Sequence, residues 1–118
     1  MVSSCDTNLL ALYFQFYFIG VPTVITNQPI VSADYLDKVM LTCDFNAFPN
    51  ATSLYWTRRI NGAETAITAN AHGGDLTSPY LVFDHVQGSD RGNYSCHVVN
   101  AVGNTTGGVI HLKIDTCK

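Results

Sequence analysis

Residues 89–96 read Ser89-Asp90-Arg91-Gly92-Asn93-Tyr94-Ser95-Cys96, and this stretch decides the fold. Gly92 permits a tight bend that other residues resist, and Asp90 is a residue type that accepts hydrogen bonds from backbone amides in turns. Tyr94 and Cys96 are two positions apart, so on a strand their side chains point to the same side. The stretch therefore predicts a turn leading into a strand whose Tyr94 and Cys96 face a core.

A second cysteine, Cys43, lies on an earlier segment with a period of two. Val39, Leu41, Cys43 and Phe45 alternate there with Lys38, Met40, Thr42 and Asp44. The alternation predicts a strand with Cys43 on its inward side. A bond between Cys43 and Cys96 would join two sheets through the core and would imply an oxidising compartment. The alternative is two reduced core cysteines in a cytosolic sandwich, because free cysteine buries readily.

Five more short apolar runs follow, and turn residues separate them. The runs are residues 54–59, 64–68, 80–86, 94–100 and 108–114. Asn61-Gly62, between the first two runs, is the strongest hairpin signal because both residues adopt positive φ at low cost. Short strands with turn signals every 8 to 12 residues or so predict an all-β, Greek-key, antiparallel sandwich.

Length and charge narrow the function. A chain of 118 residues has room for one domain. Charged residues make up only 13% of it, too few for a disordered tail. The formal net charge is −3, and the lysines and arginines are scattered along the chain, so nothing follows a phosphate backbone. We expect no nucleic-acid partner.

Residues 1–20 differ from the rest of the chain. Residues 9–19 form an uncharged run rich in aromatic side chains, too short for a membrane helix of about 20 residues but typical of the apolar region of a signal peptide. We predict a signal peptide or apolar leader at 1–20, a domain at 21–116 and no membrane anchor in this chain. An extra first strand or an unfolded leader is the alternative.

Taken together, these residues resemble the immunoglobulin superfamily, and most closely its I-set domains. The resemblance rests on Cys43, on Trp56 shortly after it, and on the Asp-x-Gly-x-Tyr-x-Cys pattern at 90–96. Pro49 and the sequence Asn-Ala-Val-Gly at 100–103 also fit the I-set pattern. The resemblance covers about 22–114 and implies an immunoglobulin-like sandwich with a Cys43–Cys96 disulfide.

The resemblance also implies structural roles for Trp56, Tyr94, Asp90 and Gly92. Trp56 would pack on the disulfide, and the Tyr94 hydroxyl would bond to backbone upstream. Many relatives pair the acid at the position of Asp90 with a base, but residues 70–75, where that base would lie, contain no Lys or Arg. We therefore expect Asp90 to accept hydrogen bonds from backbone amides of its own turn.

The sequence offers no convincing catalytic, cofactor or metal site. The polar candidates Ser89, Asp90 and His85 fall in one turn, without a nucleophile motif or an orienting partner. No cysteine pair has metal-ligand spacing, and no glycine motif suits a phosphate. We expect a protein that is not an enzyme and needs no cofactor.

Two histidines are predicted to lie side by side. His97 and His111 should both point outward, and a hairpin turning near Gly103 would pair them across neighbouring strands. Such a pair could bind a metal or respond to pH. Solvated histidines without a function are the simpler interpretation.

Three Asn-x-Ser/Thr sequons predict glycosylation at Asn50, Asn93 and Asn104. In a sandwich of this type, Asn50 and Asn104 would lie in loops at one end and Asn93 before a strand at the other end. Glycans at these positions would leave the sheet faces open.

The predicted binding surface is the outward side of one sheet, which we call the outer face. Its residues are Tyr55, Thr57, Arg59, His97, Val99, His111 and Lys113. Tyrosine and arginine are enriched in interfaces because they supply large contact area with a polar group. The alternative is a solvated sheet surface without a partner.

The resemblance implies an extracellular recognition or adhesion module that binds proteins, a second copy of itself included. Such a module could belong to a cell-surface adhesion or receptor protein or be a secreted binder. A structural module of an intracellular filament and an accessory ectodomain of a receptor kinase are the alternatives. If the leader is cleaved, Cys117 loses Cys5 as a partner, and we expect these two cysteines not to pair with each other.

Overall fold

The structure, a computed structural model, describes residues 19–115, so the predictions for Cys5, Cys117 and most of the leader lie outside it. Strands dominate this part of the chain, with one turn of 3-10 helix at Gly88–Asp90. The strands are β1 Gly20–Ile25, β2 Ile30–Asp34, β3 Val39–Leu41, β4 Asp44–Phe48, β5 Ser53–Ile60, β6 Ala63–Thr65, β7 Ala71–Gly73, β8 Leu81–Phe83, β9 Gly92–Val99, β10 Asn104–Thr106 and β11 Ile110–Asp115.

Two principal sheets form the sandwich. The larger has the order β2-β11-β9-β5-β6, with β10 also paired to β9, and the smaller has the order β3-β8-β7. A further ladder pairs β1 with β4. All pairings are antiparallel except that of β11 with β2. The predicted all-β sandwich is therefore confirmed.

The core lies between the two sheets. Its buried members are Val39, Leu41, Cys43, Leu54, Trp56, Leu81, Phe83, Val86, Tyr94, Cys96, Val98, Ile110 and Leu112. Those on strands alternate with exposed or half-buried residues, as a two-layer sandwich requires. The Cys43–Cys96 disulfide crosses this core with a Cα–Cα distance of 6.2 Å, so the predicted pairing is confirmed.

The strand predicted around Cys43 is divided into two. β3 pairs with β8, whereas β4 pairs with β1. The change of partner falls at Thr42, whose backbone N–H donates to Gln28 Oε1 at 2.8 Å. Because a side chain satisfies this amide, the backbone can leave one ladder before joining the next.

The hairpin predicted at Asn61-Gly62 is confirmed. Ile60 pairs with Ala63 across a two-residue loop, and φ is 53° at Asn61 and 82° at Gly62. Both angles suit the turn that matches the twist of an antiparallel hairpin. The run predicted at 64–68 was wrong in extent, because β6 ends at Thr65.

Four strands were missed from the sequence: β1, β2, β7 and β10. None of them carries a continuous buried face. β2 is held by parallel pairing with β11, from His111 opposite Ile30 to Asp115 opposite Asp34. Because backbone pairing at a sheet edge leaves little mark on the side-chain pattern, period-two analysis could not find these strands.

Candidate protein-interaction face

Asp90 organises the turn before β9 and is fully buried. Its Oδ2 accepts hydrogen bonds from the Gln87 backbone N–H at 2.8 Å and from Asn70 Nδ2 at 2.6 Å. Its Oδ1 accepts from the Thr68 hydroxyl at 2.5 Å. The backbone bond is of the kind expected from the sequence, whereas sequence reasoning missed the two side-chain donors. Thr68 and Asn70 thus supply donors where many relatives have a base.

Tyr94 packs directly beneath this turn. Its ring is fully buried and meets Phe83 edge-on, with ring centroids 5.9 Å apart. Its hydroxyl donates to the backbone carbonyl of Asp90. Burial raises the pKa of Tyr94 to about 12, although the nearby positive charge of Arg58 acts in the opposite direction. The phenol therefore stays protonated and locks the turn to the start of β9.

Arg58 is the main structural residue that sequence reasoning missed. It is 7% exposed, and its guanidinium donates to the carbonyls of Arg91, Ser89 and Ala66 and to the Thr65 hydroxyl. Arg58 thereby ties β5 to the turn that Asp90 organises. Gly92, with φ of 152°, leaves room for it, since a Cβ there would lie 3.2 Å from Arg58 Nε.

Trp56 lies on β5 directly opposite Cys96 of β9. The indole is buried, and its Nε1–H donates to the Pro79 carbonyl at 2.9 Å. This bond satisfies the one polar group of the ring, which otherwise would be costly to bury. β5 is therefore fixed on its inward side, which positions the alternating residues on its outward side.

The outer face carries an ordered pair of rings at its centre. Tyr55 and His97 are partners on β5 and β9, and their rings stack with centroids 4.6 Å apart and planes 7° from parallel. His97 Nε2 lies 2.7 Å from the Thr57 hydroxyl and His97 Nδ1 lies 2.9 Å from the Thr106 hydroxyl. Burial lowers the pKa of His97, and the charge of Glu64 acts in the opposite direction. His97 is thus a neutral, oriented ring at neutral pH.

The remaining predicted members of the outer face lie around this stack. Arg59 is exposed on β5, and Val99 is half-buried on β9. His111 and Lys113 are exposed on β11. These residues share the outward side of a single sheet, as the alternation of burial along the three strands shows.

The prediction that His97 and His111 lie side by side was wrong. His97 is opposite Thr106 of β10, and His111 is opposite Asn93 of β9. The turn begins earlier than expected because Asn100 Oδ1 accepts hydrogen bonds from the backbone N–H groups of Val102 and Gly103, at 3.0 and 3.1 Å. β10 and β11 therefore take their registers from this turn, and the two histidines do not form a shared site.

The placement of the sequons also differs from the prediction. Asn50 is exposed in the loop after β4. Asn93 lies within β9, between Arg59 and His111 in register, and Asn104 lies within β10 opposite Val99. Paired residues on neighbouring strands point to the same side of a sheet. Asn93 and Asn104 therefore belong to the outer face, which their glycans would frame rather than leave open.

The polar turn residues considered as catalytic candidates have structural contacts. The carbonyl of Ser89 accepts from Arg58, and the carbonyl of His85 accepts from Asn70 Nδ2 at 2.9 Å. Within residues 19–115, no group of three or more His, Cys, Asp or Glu side chains is arranged to hold a metal. None of the helical structure in that range is long and apolar enough to span a bilayer.

Comparison with known proteins shows the family to which this chain belongs. Residues 22–100 match the family model described as immunoglobulin domain. This chain belongs to the immunoglobulin superfamily, a class of β-sandwich domains that generally bind other proteins. No curated protein sequence matches the chain.

Solved structures with the same fold include Ig modules of a Drosophila receptor protein tyrosine phosphatase and extracellular domains of Drosophila OTK. The tandem Ig repeats of Dlar give a TM-score of 0.68 at 17% identity, over 88% of this chain and 53% of that chain. The Ig1-2 module of the Drosophila receptor protein tyrosine phosphatase DLAR gives 0.65 at 20%, over 84% and 48%. Domains 3-5 of Drosophila OTK give 0.63 at 19%, over 81% and 30%. This chain thus spans about half of these structures or less.

Proposed function

We propose that this chain is an extracellular recognition module that binds a protein partner, a second copy of itself included, through the outer face. The observation that carries the proposal is the Tyr55–His97 stack. Tyr55 is 43% exposed although its ring is already oriented by His97, and His97 is itself held between two threonine hydroxyls. A large aromatic surface that is ordered before binding loses little conformational freedom on association.

Three observations support the extracellular setting. The core contains a disulfide, and disulfides persist in oxidising compartments. Solved structures with this fold include extracellular domains of Drosophila OTK. The three sequons lie at outward-facing or exposed positions, where glycans can be accommodated. Mass spectrometry of unreduced peptides from secreted protein should recover Cys43 linked to Cys96. Free thiols in protein isolated from cells would favour an intracellular filament module instead.

The binding proposal is tested by a screen followed by matched variants. The secreted, tagged chain is screened against extracellular proteins, itself included. Replacing Tyr55 and Arg59 together by Ala should weaken binding of any partner found by about 1–2 kcal/mol or more.

The control replaces Tyr35 and Lys38 by Ala. Tyr35 is 50% exposed, close to the 43% of Tyr55, and both control residues lie in the turn before β3, outside the outer face. The control should bind normally. Equal loss in both double variants, or loss in the control alone, would show that the outer face is not the binding surface.

A further inference from the structure

A groove crosses one end of the outer face, beside the turn that Asp90 organises. Arg59 of β5, Asn93 of β9 and His111 of β11 lie in one row across the three strands. Arg91 and Lys113 line the groove one step further along the strands. The groove is therefore formed mainly by the three central strands of the larger sheet.

The groove is basic in an acidic protein. Three of the five lysines and arginines of residues 19–115 line it, and no acidic residue does. The whole chain, in contrast, has a net charge of −3. Acidic groups lie just beyond it. Glu64 is opposite Arg59 on β6, and Asp34, Asp37 and Asp115 line the neighbouring hollow on the far side of Lys113. Because acidic groups lie on both sides of the groove, its positively charged surface is short.

Two of the cationic side chains are held in place by the backbone. Arg59 Nη1 donates to the Gly62 carbonyl at 2.8 Å, and Arg91 Nη1 donates to the Gly88 carbonyl at 3.0 Å. A guanidinium has five N–H donors, so each of these anchored groups keeps others for a ligand. Because these two side chains are already anchored, they lose less conformational entropy when a carboxylate binds.

Asn93 lines this groove. Its Oδ1 accepts a hydrogen bond from His111 Nδ1, which turns the amide nitrogen away from His111. Nδ2 makes no hydrogen bond with the part of the chain that the structure describes, and Nδ2 is the atom that carries an N-linked glycan. A glycan attached there would begin inside the groove.

We propose that this groove binds an acidic segment of the partner protein, and that glycosylation of Asn93 closes it. The idea rests on the proposed function and names the partner's chemistry. A short acidic segment fits because its carboxylates can meet Arg59, Arg91 and Lys113 without reaching the surrounding acids. A long polyanion would pass over those acids and be repelled.

The test uses the chain secreted from glycosylating cells and a fluorescein-labelled oligoglutamate peptide, with binding followed by fluorescence anisotropy at low salt. Ser95→Ala removes the sequon but keeps Asn93 and its bond to His111. Mass spectrometry should show a glycan on Asn93 in the wild type. Ser95→Ala should then bind the peptide about tenfold or more tightly than the wild type, and added salt should weaken this binding.

Charge-reversal substitutions test whether the peptide binds in the groove. In the Ser95→Ala background, Arg91→Glu should weaken binding about tenfold or more. Lys38→Glu makes the same charge change outside the groove and should leave binding nearly unchanged. Equal weakening by both changes, equal binding with and without the Asn93 glycan, or an unmodified Asn93 in secreted protein would each overturn the proposal. Tighter binding of a heparin fragment at the same residues would also overturn it, by assigning the groove to a polysaccharide.

The proposed role of the groove and the proposed function can be rejected independently of each other. The peptide measures the groove without any partner. Loss of peptide binding in Arg91→Glu, together with normal partner binding in a Tyr55→Ala variant that leaves the groove residues intact, would preserve the groove and reject the Tyr55–His97 stack as the interface. Unchanged peptide binding in Arg91→Glu, together with weakened partner binding in the Tyr55→Ala variant, would reject the groove and keep the outer-face interface.

Discussion

At the scale of single residues, Arg58 ties β5 to the turn before β9. Replacing it by Met keeps much of the apolar stem but leaves the carbonyls of Ser89, Arg91 and Ala66 without their donor. Buried acceptors that lose a charged donor are costly. We expect Arg58→Met to lower the free energy of unfolding by about 2–4 kcal/mol in urea titrations. The exposed neighbour provides the control, since Arg59→Met should cost about 0.5 kcal/mol or less. Equal costs would show that the buried bonds contribute nothing.

Tyr94 gives a pH dependence of defined sign. Burial raises its pKa from 10.0 to about 12, so the folded chain holds this proton more tightly than the unfolded chain. The stabilisation is complete below pH 10 and is lost as the pH rises from 10 to about 12. Tyr94→Phe lacks this group. The difference in unfolding free energy between wild type and Tyr94→Phe should therefore shrink over that range, and a constant difference would contradict the buried phenol.

The inward residues of the core could be predicted, but Arg58 could not. Trp56, Tyr94 and Cys96 lie on strands, and Cys43 lies between β3 and β4, in segments whose period of two marks a buried side. Arg58 shares the inward phase of Trp56, yet its acceptors come from the turns at 65–66 and 89–91. No local pattern shows that a distant turn will present carbonyls to a buried guanidinium.

At the scale of elements, two glycines with similar φ angles allow the cost of a positive φ to be measured separately from the cost of steric crowding. Gly62 has φ of 82° with open space around it, whereas Gly74 has φ of 77° and a Cβ there would lie 2.9 Å from the side chains of Trp56 and Leu81. Gly62→Ala should cost about 1 kcal/mol from the positive φ alone. Gly74→Ala should cost at least about 1 kcal/mol more, because core side chains must shift as well. Thermal unfolding of both variants measures the difference, and equal costs would show that the core absorbs the added methyl group.

The elements also show where sequence reasoning stops. The Asn61-Gly62 hairpin was predictable because its two residues determine the turn. The register of β10 and β11 was not, because it depends on Asn100, whose amide also donates to the carbonyls of Gly20 and Pro49. These contacts bury Asn100 and begin the turn directly after Val99. The positions of His111 and Asn104 on the outer face follow from that register.

At the scale of the whole molecule, the outer face is divided by its sequons. Asn104 is opposite Val99, six residues along β9 from Asn93, a distance of about 20 Å on a strand. The Tyr55–His97 stack lies between them. The larger sheet would therefore present a central window between two glycans. The smaller sheet has its own surface, a shallow apolar hollow lined by Met40, Val82 and Tyr80.

Two single substitutions decide which sheet binds the partner. Tyr55→Asn creates the sequon Asn-Trp-Thr at 55–57, and Met40→Asn creates Asn-Leu-Thr at 40–42. The two positions are equally exposed, at 43% each, so both should accept a glycan in secreted protein. The glycan at position 55 fills the window and should abolish partner binding, whereas the glycan at position 40 covers the other sheet and should leave binding intact. Tyr55→Gln, which has no sequon, measures the loss of the tyrosine alone and should bind more weakly than wild type but better than the glycosylated variant. Lost binding in Met40→Asn with normal binding in Tyr55→Asn would place the interface on the smaller sheet.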